Sequence, residues 1–149
     1  MHPKVSIVLS VFHPNLDNLK RTIDSISGQT FSDYELIIVK DDAEQATLVV
    51  IQEVKNTIKN LIIIDNMGNI GLVRSLNKAL KQANGSYIAR IDVGDWWHSQ
   101  KLHEQYHLMH KDGLILTGTQ VKLFSVDLSM LAKQISPFSD VEIGRASCR

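Results

Sequence analysis

The sequence of 149 residues has one cysteine, Cys148, next to its last residue. A lone thiol excludes an internal disulfide framework and a cysteine-rich metal cage, and it fits a reducing cytoplasm. Excess charge of either sign is also missing, since 16 Lys and Arg balance 16 Asp and Glu. Without a basic field nothing general holds a phosphate backbone, so nucleic acid is not an expected partner. No apolar run approaches the roughly 20 residues a helix needs to cross a bilayer. The expected location is cytoplasmic, at most peripheral to the inner membrane face. The run Val5 to Phe12 behind Lys4 imitates a signal-peptide core, but His13-Pro14-Asn15 follows where small residues and a cleavage site should stand. Repeats and low-complexity linkers are absent as well. The expectation is a single domain over 1–149, long enough to bury a core without staples.

What is present is an alternation of strands and helices. Val5 to Phe12 reads as a strand buried on both faces. Asn15 caps a helix striped by Leu16, Leu19, Ile23 and Ile26 and stopped at Gly28. Tyr34 to Val39 is a second strand, Leu48, Ile51, Val54 and Ile58 stripe a second helix, and Leu61 to Ile64 is a third strand. Leu72, Leu76, Ala79, Leu80 and Ala83 mark a third helix, closed by Asn84-Gly85, before a fourth strand, Tyr87 to Ile91. Leu102, Tyr106 and Met109 suggest a fourth helix ending near Gly113, and Leu114 to Phe124 a fifth strand or hairpin arm. The pattern predicts an α/β fold, a mostly parallel sheet covered on both faces, with ligands beyond the carboxyl ends of its strands.

Polar clusters stand at those ends: Ser10 to Asn15, Lys40-Asp41-Asp42, and Asp92-Val93-Gly94-Asp95. Asp92 and Asp95, three residues apart, can meet across one turn. Mg²⁺ or Mn²⁺ held by one or two carboxylates completes its shell with substrate phosphates, so the pair suits a diphosphate-bearing substrate. A solvated acidic turn is the plainer reading of the same spacing. Asp41 could equally cap the next helix. Trp96 and Trp97 either wall a sugar site or divide between core and rim. Asn77, a poor helix former, is expected to bond a neighbouring loop.

Two other chemistries compete. His103-Glu104-Gln105-Tyr106-His107 fits H-E-x-x-H, which would make a zinc hydrolase. His110 shares that face, yet the only later glutamate is Glu142, and the glycine and distant third histidine of the longer zinc-protease pattern are missing. A dinucleotide site would need glycines after the first strand, where His13-Pro14-Asn15 stands.

Five segments together resemble family 2 glycosyltransferases. Val5-Ser6-Ile7-Val8-Leu9-Ser10-Val11-Phe12-His13 is similar to the family's opening V-S-I-I-I-P-T-Y-N, with Val11, Phe12 and His13 in place of polar residues. Ser25-Ile26-Ser27-Gly28-Gln29-Thr30-Phe31-Ser32-Asp33-Tyr34-Glu35-Leu36-Ile37-Ile38-Val39 matches S-I-x-x-Q-T-[FY]-x-x-[FY]-E-[IL]-I-[IV]-V closely. Asn69 to Ala79 resembles N-x-G-L-x-x-x-L-N-x-A, Gly85 to Asp92 resembles G-E-Y-I-A-R-x-D, and Lys101-Leu102 with Gln105 resembles K/R-L-x-x-Q.

The resemblance implies a GT-A fold, a Rossmann-like three-layer α/β/α arrangement, apparently truncated after about the fifth strand. It implies sugar transfer from a nucleotide-sugar donor, UDP-linked, to a saccharide or lipid-linked acceptor hydroxyl with inversion, in the setting of bacterial polysaccharide assembly. By that resemblance Asp41 lies against the base, Asp92 by the ribose and diphosphate, and Phe12 near the base. Ser10 joins this nucleotide-binding set, and Arg74 and Arg90 could stabilise the leaving group or simply pair with neighbouring acids. Asp92 and Asp95 are the expected metal ligands for Mn²⁺ or Mg²⁺. Glycine at position 94, where the family's D-x-D-D often has a carboxylate, leaves metal dependence open. The family's general base, an aspartate in the half beyond the fifth strand, has no match in Asp127 or Asp140. The closing 142–149 does not continue the family pattern and is expected to be a non-native tail. A chain lacking the acceptor half is expected to be inactive alone and to self-associate through its open sheet edge. The alternative outside catalysis is a nucleotide-binding or interaction module in which Gly94 marks a lost metal site.

Overall fold

Strand β1 (Val5–Val11) and strand β2 (Tyr34–Lys40) are apolar on both faces, and every residue of both is buried except half-buried Ser10. Such two-sided runs belong in the middle of a parallel sheet. The computed structural model, which describes residues 2–119, 121–124 and 130–134, places them there. With β3 (Leu61–Asp65) and β4 (Tyr87–Asp92) they form a four-stranded, wholly parallel sheet of order β3-β2-β1-β4. Helices α1 (Leu16–Ser27), α2 (Gln45–Glu53) and α3 (Leu72–Gln82) make the crossovers, and α4 (Lys101–Asp112) follows β4. The expected α/β architecture is the one observed. The residues group into two compact units, 1–101 and 102–149.

In the first unit the two central strands are covered on both faces. Ala79 of α3 joins Val8, Ile37 and Val39 in one cluster, flanked by Ile62, Ile64 and Leu76. On the opposite face Ile7, Leu9, Leu36 and Ile38 are fully buried, as are Leu19, Ile23 and Ile26 along one side of α1. The Asn15 cap is present, its Oδ1 accepting from Asn18 N at 3.0 Å.

A buried polar knot fixes the amino end of the sheet. Ser6 Oγ donates to Glu35 Oε1 at 2.6 Å, and Asn84 N donates to the same oxygen at 2.7 Å. Gly85 N donates to Ser6 Oγ at 2.8 Å, which ties the start of β4 to β1. Ser6, Glu35 and Gly85 of the family-like segments therefore hold the sheet, at the end opposite the polar clusters.

The structure departs from the pattern in four places. Helix α2 stops at Glu53 and a 3₁₀ turn, Val54–Asn56, follows, so Ile58 is buried from a loop. On α3 the buried residues are Ser75 and Ala79, while Leu72 and Leu80 are about half exposed. Small side chains let a helix approach the strands closely, and the larger ones are left at its margins. Strand β4 is one of the two outer strands of its sheet among the described residues, and its exposure alternates, with Ile88 at 48%. In the second unit β5 covers only Val121–Phe124 and pairs antiparallel with β6 (Met130–Gln134), the hairpin arm rather than a sheet strand. The proposed tail at 142–149, Asp127, Asp140 and Cys148 lie outside the described residues.

Candidate functional site

Register across the sheet decides which side chains share a rim. The row Ile62, Ile37, Val8, Arg90 lies on the α3 face, and the next row toward the carboxyl ends is Ile64, Val39, Ser10, Asp92. The chain order reverses between β1 and β4, because β3 lies beyond β2 and β4 on the other side of β1. Parallel α/β sheets bind ligands at such a switch point. Ser10 and Asp92 are partners across it. Phe12, one residue past β1, is 49% exposed with its ring edge-on to His13 at 4.2 Å, so it belongs to the rim and not the core. Arg74 is exposed in the first turn of α3.

Asp92 and Asp95 are joined by one turn, in which Asp95 N donates to Asp92 O at 3.1 Å. Gly94, third in that turn, has φ +98°, a value that favours glycine. A Cβ there would meet no atom within 4 Å, so the dihedral alone disfavours a side chain at this position. Helix α1 braces this turn. Thr22 Oγ1, fully buried, accepts from Gly94 N at 3.0 Å and donates to Asp95 O at 2.8 Å. Ser25 Oγ accepts from Trp97 N, Gln29 Nε2 donates to His98 O, and Thr30 N donates to Ser99 O. The Ser25-to-Thr30 motif thus holds residues 97–99, and Thr22, just before it on α1, holds the acidic turn itself.

Desolvation, and after it the negative charge of Asp92, pushes the Asp95 carboxyl up from its ordinary value. A carboxyl raised by burial and by a neighbouring carboxylate is a common feature of cation sites. Asp92 already has a cation, because the Arg90 guanidinium grips it from Nη2 at 2.9 and 3.0 Å and from Nε at 3.3 Å. Two carboxylates are the residue types that suit a Mg²⁺ or Mn²⁺ site completed by substrate phosphates. Among the described residues no three His, Cys, Asp or Glu side chains cluster as a self-sufficient metal cage.

Asp41 is deeply placed. Its Oδ1 accepts from Asn66 Nδ2 at 2.9 Å and Ile70 N at 2.8 Å, and its Oδ2 from Gly71 N at 3.0 Å. Burial raises its pKa, but these bonds, with Ser75, outweigh burial and hold the carboxyl below its ordinary value. Asp42 serves the neighbouring loops, accepting from His13 N, Glu44 N and Thr47 Oγ1. Lys40, 3% exposed, donates to Asp42 O at 2.6 Å and lies 3.5 Å from Asp65 Oδ1. The acidic pair after β2 therefore organises the rim loops whatever else it touches. Sequence reasoning missed Asn66, which bridges Asp41 and Ser75 and accepts from Lys78. Asn77, expected in such a role, is exposed. Trp96 is 44% exposed, whereas Trp97 is half buried under Lys101 Nζ, 4.4 Å from its ring centroid. Burial pushes the Lys101 amine down to about 8.

In the second unit His103 and His107 are exposed on α4 with ring centroids 4.3 Å apart, and Tyr106 stacks on His110 at 5.7 Å. A hydrolytic zinc has three protein ligands. The histidine pair has no third among the described residues. Weak Zn²⁺ binding that disappears in His107→Ala, with no peptide hydrolysis by either protein, is the expected result of calorimetry and a peptidase assay.

Comparison with known proteins agrees with this geometry. The family model described as Glycosyl transferase family 2 matches residues 6–141. The UDP-Glc:alpha-D-GlcNAc-diphosphoundecaprenol beta-1,3-glucosyltransferase of Escherichia coli is 32% identical over 108 residues, 72% of this chain and 42% of that protein. S. aureus TarS, solved in complex with UDP, superposes with a TM-score of 0.69 at 22% identity, over 83% of this chain and 38% of that one. A mannosyltransferase from Pyrobaculum calidifontis, solved with GDP-Man and Mn²⁺, superposes with a TM-score of 0.70 at 18% identity, over 83% of this chain and 36% of that one. The chain spans about two fifths of the length of each of these proteins. It belongs to glycosyl transferase family 2, and its four-stranded parallel sheet matches the amino-terminal part of a GT-A fold.

Proposed function

We propose that the carboxyl rim of β1, β2 and β4 binds the nucleoside diphosphate of a UDP-sugar, and that the whole protein transfers the sugar to an acceptor hydroxyl with inversion. The observation that carries the reading is the pair Asp92 and Asp95 on one braced turn at the switch point of the sheet, opposite Ser10. Phe12 offers a ring face for the base, and Asp41 holds the loop beside it. Arg74 and Arg90 offer positive charge to the diphosphate, at the end of the sheet where such groups sit. A divalent cation on Asp92 and Asp95 would neutralise charge developing on the leaving diphosphate.

In the transfer, the acceptor oxygen bonds to the anomeric carbon as the carbon–oxygen bond to the diphosphate breaks, and the acceptor proton passes to a base. None of the residues assigned here fills that last role. The E. coli relative acts on GlcNAc-diphosphoundecaprenol, which supports a saccharide or lipid-linked acceptor and a site peripheral to the inner membrane face. Among the described residues no helix is long and apolar enough to cross a membrane.

Calorimetric titration of the chain with UDP, with and without Mn²⁺, tests the donor site. The expected result is UDP binding that Mn²⁺ strengthens, and an Asp92→Asn variant in which Mn²⁺ no longer strengthens it, a loss of about tenfold or more. Absence of UDP binding by the correctly folded chain overturns the reading. UDP binding that ignores both Mn²⁺ and Asp92→Asn favours the non-catalytic nucleotide-binding module.

A further inference from the structure

We infer that Arg90 is an internal counter-ion that occupies Asp92 until a nucleoside diphosphate draws it away, so that cation and nucleotide bind this site cooperatively. The inference rests on the donor-site reading above.

Four observations lead to it. The guanidinium engages both carboxylate oxygens of Asp92, which leaves a cation little to coordinate until the fork opens. The pair is held along β4 by its own alternation, since residues 90 and 92 are on the same face of the strand, so the contact needs no help from other elements. Both side chains are about half exposed, at 50% and 54%. Solvent-exposed ion pairs are weak, so this one opens at small cost. The fourth observation is the turn itself. With glycine imposed at position 94 by φ +98°, Asp92 and Asp95 are the only carboxylates of the acidic motif, and occupation of Asp92 removes half of them.

A diphosphate at the strand ends offers Arg90 more oxygens and more negative charge than one carboxylate, and guanidinium forks favour such groups. When Arg90 turns to it, Asp92 is released next to Asp95. The two carboxylates then repel, and a divalent cation relieves that repulsion. Each ligand thus prepares the site for the other, and by linkage the enhancement is the same in either direction.

The test is Mn²⁺ binding followed by electron paramagnetic resonance, with and without UDP, on the wild-type chain, Arg90→Gln, Arg90→Lys and Arg74→Gln, each checked for folding by circular dichroism. In the wild type UDP should tighten Mn²⁺ binding about tenfold. Arg90→Gln should bind Mn²⁺ alone about three- to tenfold more tightly, bind UDP alone more weakly, and lose most of the mutual enhancement. Opposite changes for the two ligands are what a merely structural arginine would not give. Arg90→Lys keeps the charge without the fork and should fall between. Arg74→Gln should weaken UDP without changing Mn²⁺ binding to the nucleotide-free chain. Unchanged or weaker Mn²⁺ binding by nucleotide-free Arg90→Gln overturns the inference, and so does independent binding of UDP and Mn²⁺ by the wild type. If UDP binds none of the folded proteins, the donor reading fails and takes the coupling with it, a result distinguishable from failure of the counter-ion alone.

Discussion

Asp41→Ala is expected to lower the unfolding free energy by about 1–3 kcal/mol, because three part-buried donors lose the carboxylate and Ile70 N loses its acceptor outright, while Asn66 Nδ2 keeps Ser75 Oγ and Gly71 N keeps Asn69 Oδ1. The donors are Asn66 Nδ2, Ile70 N and Gly71 N, and they come from the loop that starts α3. Urea unfolding followed by circular dichroism measures the loss as a fall in midpoint at constant slope. Loss of UDP binding in this variant would not by itself place the base against Asp41, since the loop that leads into α3 and Arg74 loosens at the same time. The pH dependence separates the carboxylate from its surroundings. A depressed folded pKa means that the Asp41 contribution is complete above the ordinary carboxylate range and is lost as pH falls through the depressed value. The stability gap between wild type and Asp41→Ala should therefore be widest near neutrality and narrow in strong acid. A gap that stays constant down to acid unfolding would show that the hydrogen bonds do not depend on the charge.

How far the sequence could be read depended on how local each cause was. Strand β1, strand β2 and the Asn15 cap were legible because burial on both faces and a capping side chain leave a pattern in neighbouring residues. The buried face of α3 was legible only in part. Ala79 stood on the expected stripe, but Ser75 looks unremarkable beside Leu72 and Leu80, and only the closeness of the strands decides that it goes inside and they do not. Asp92 and Asp95 could be named from their spacing, and Arg90 as a partner for a neighbouring acid, but not that its fork engages both oxygens of Asp92. Thr22 was invisible as a site residue for a similar reason. It reads as one polar position on α1, and its two bonds to residues 94 and 95 cross more than seventy positions of sequence. Gly94 was visible as a departure from the family, and its cause, a positive φ, came only from the backbone.

Gly85→Ala should be the most damaging single methyl group in the first unit. A Cβ at this position would stand 2.4 Å from Ser6 N and 2.7 Å from both Ser6 Oγ and the Val5 carbonyl carbon. Two of those three atoms are backbone of the central strand β1, which cannot swing aside as a flexible side chain does. Overpacking of a well-filled interior costs about 1–3 kcal/mol and more where the neighbours are rigid; a loss of at least about 3 kcal/mol is expected in urea unfolding. Ser6→Ala provides the control. It removes Oγ, with its bonds to Glu35 Oε1 and Gly85 N, but leaves Ser6 N and Val5 in place. If the backbone clash dominates, Gly85→Ala in the Ser6→Ala background should cost nearly as much as it does alone, and a double-mutant cycle reads the difference. Near-complete rescue by Ser6→Ala would assign the role of glycine to the hydroxyl instead. The consequence for function runs along β4, where the register set at Tyr87 opposite Val5 also sets Asp92 opposite Ser10. Folded Gly85→Ala protein should therefore bind Mn²⁺ and UDP more weakly although the substituted residue lies at the far end of the strand.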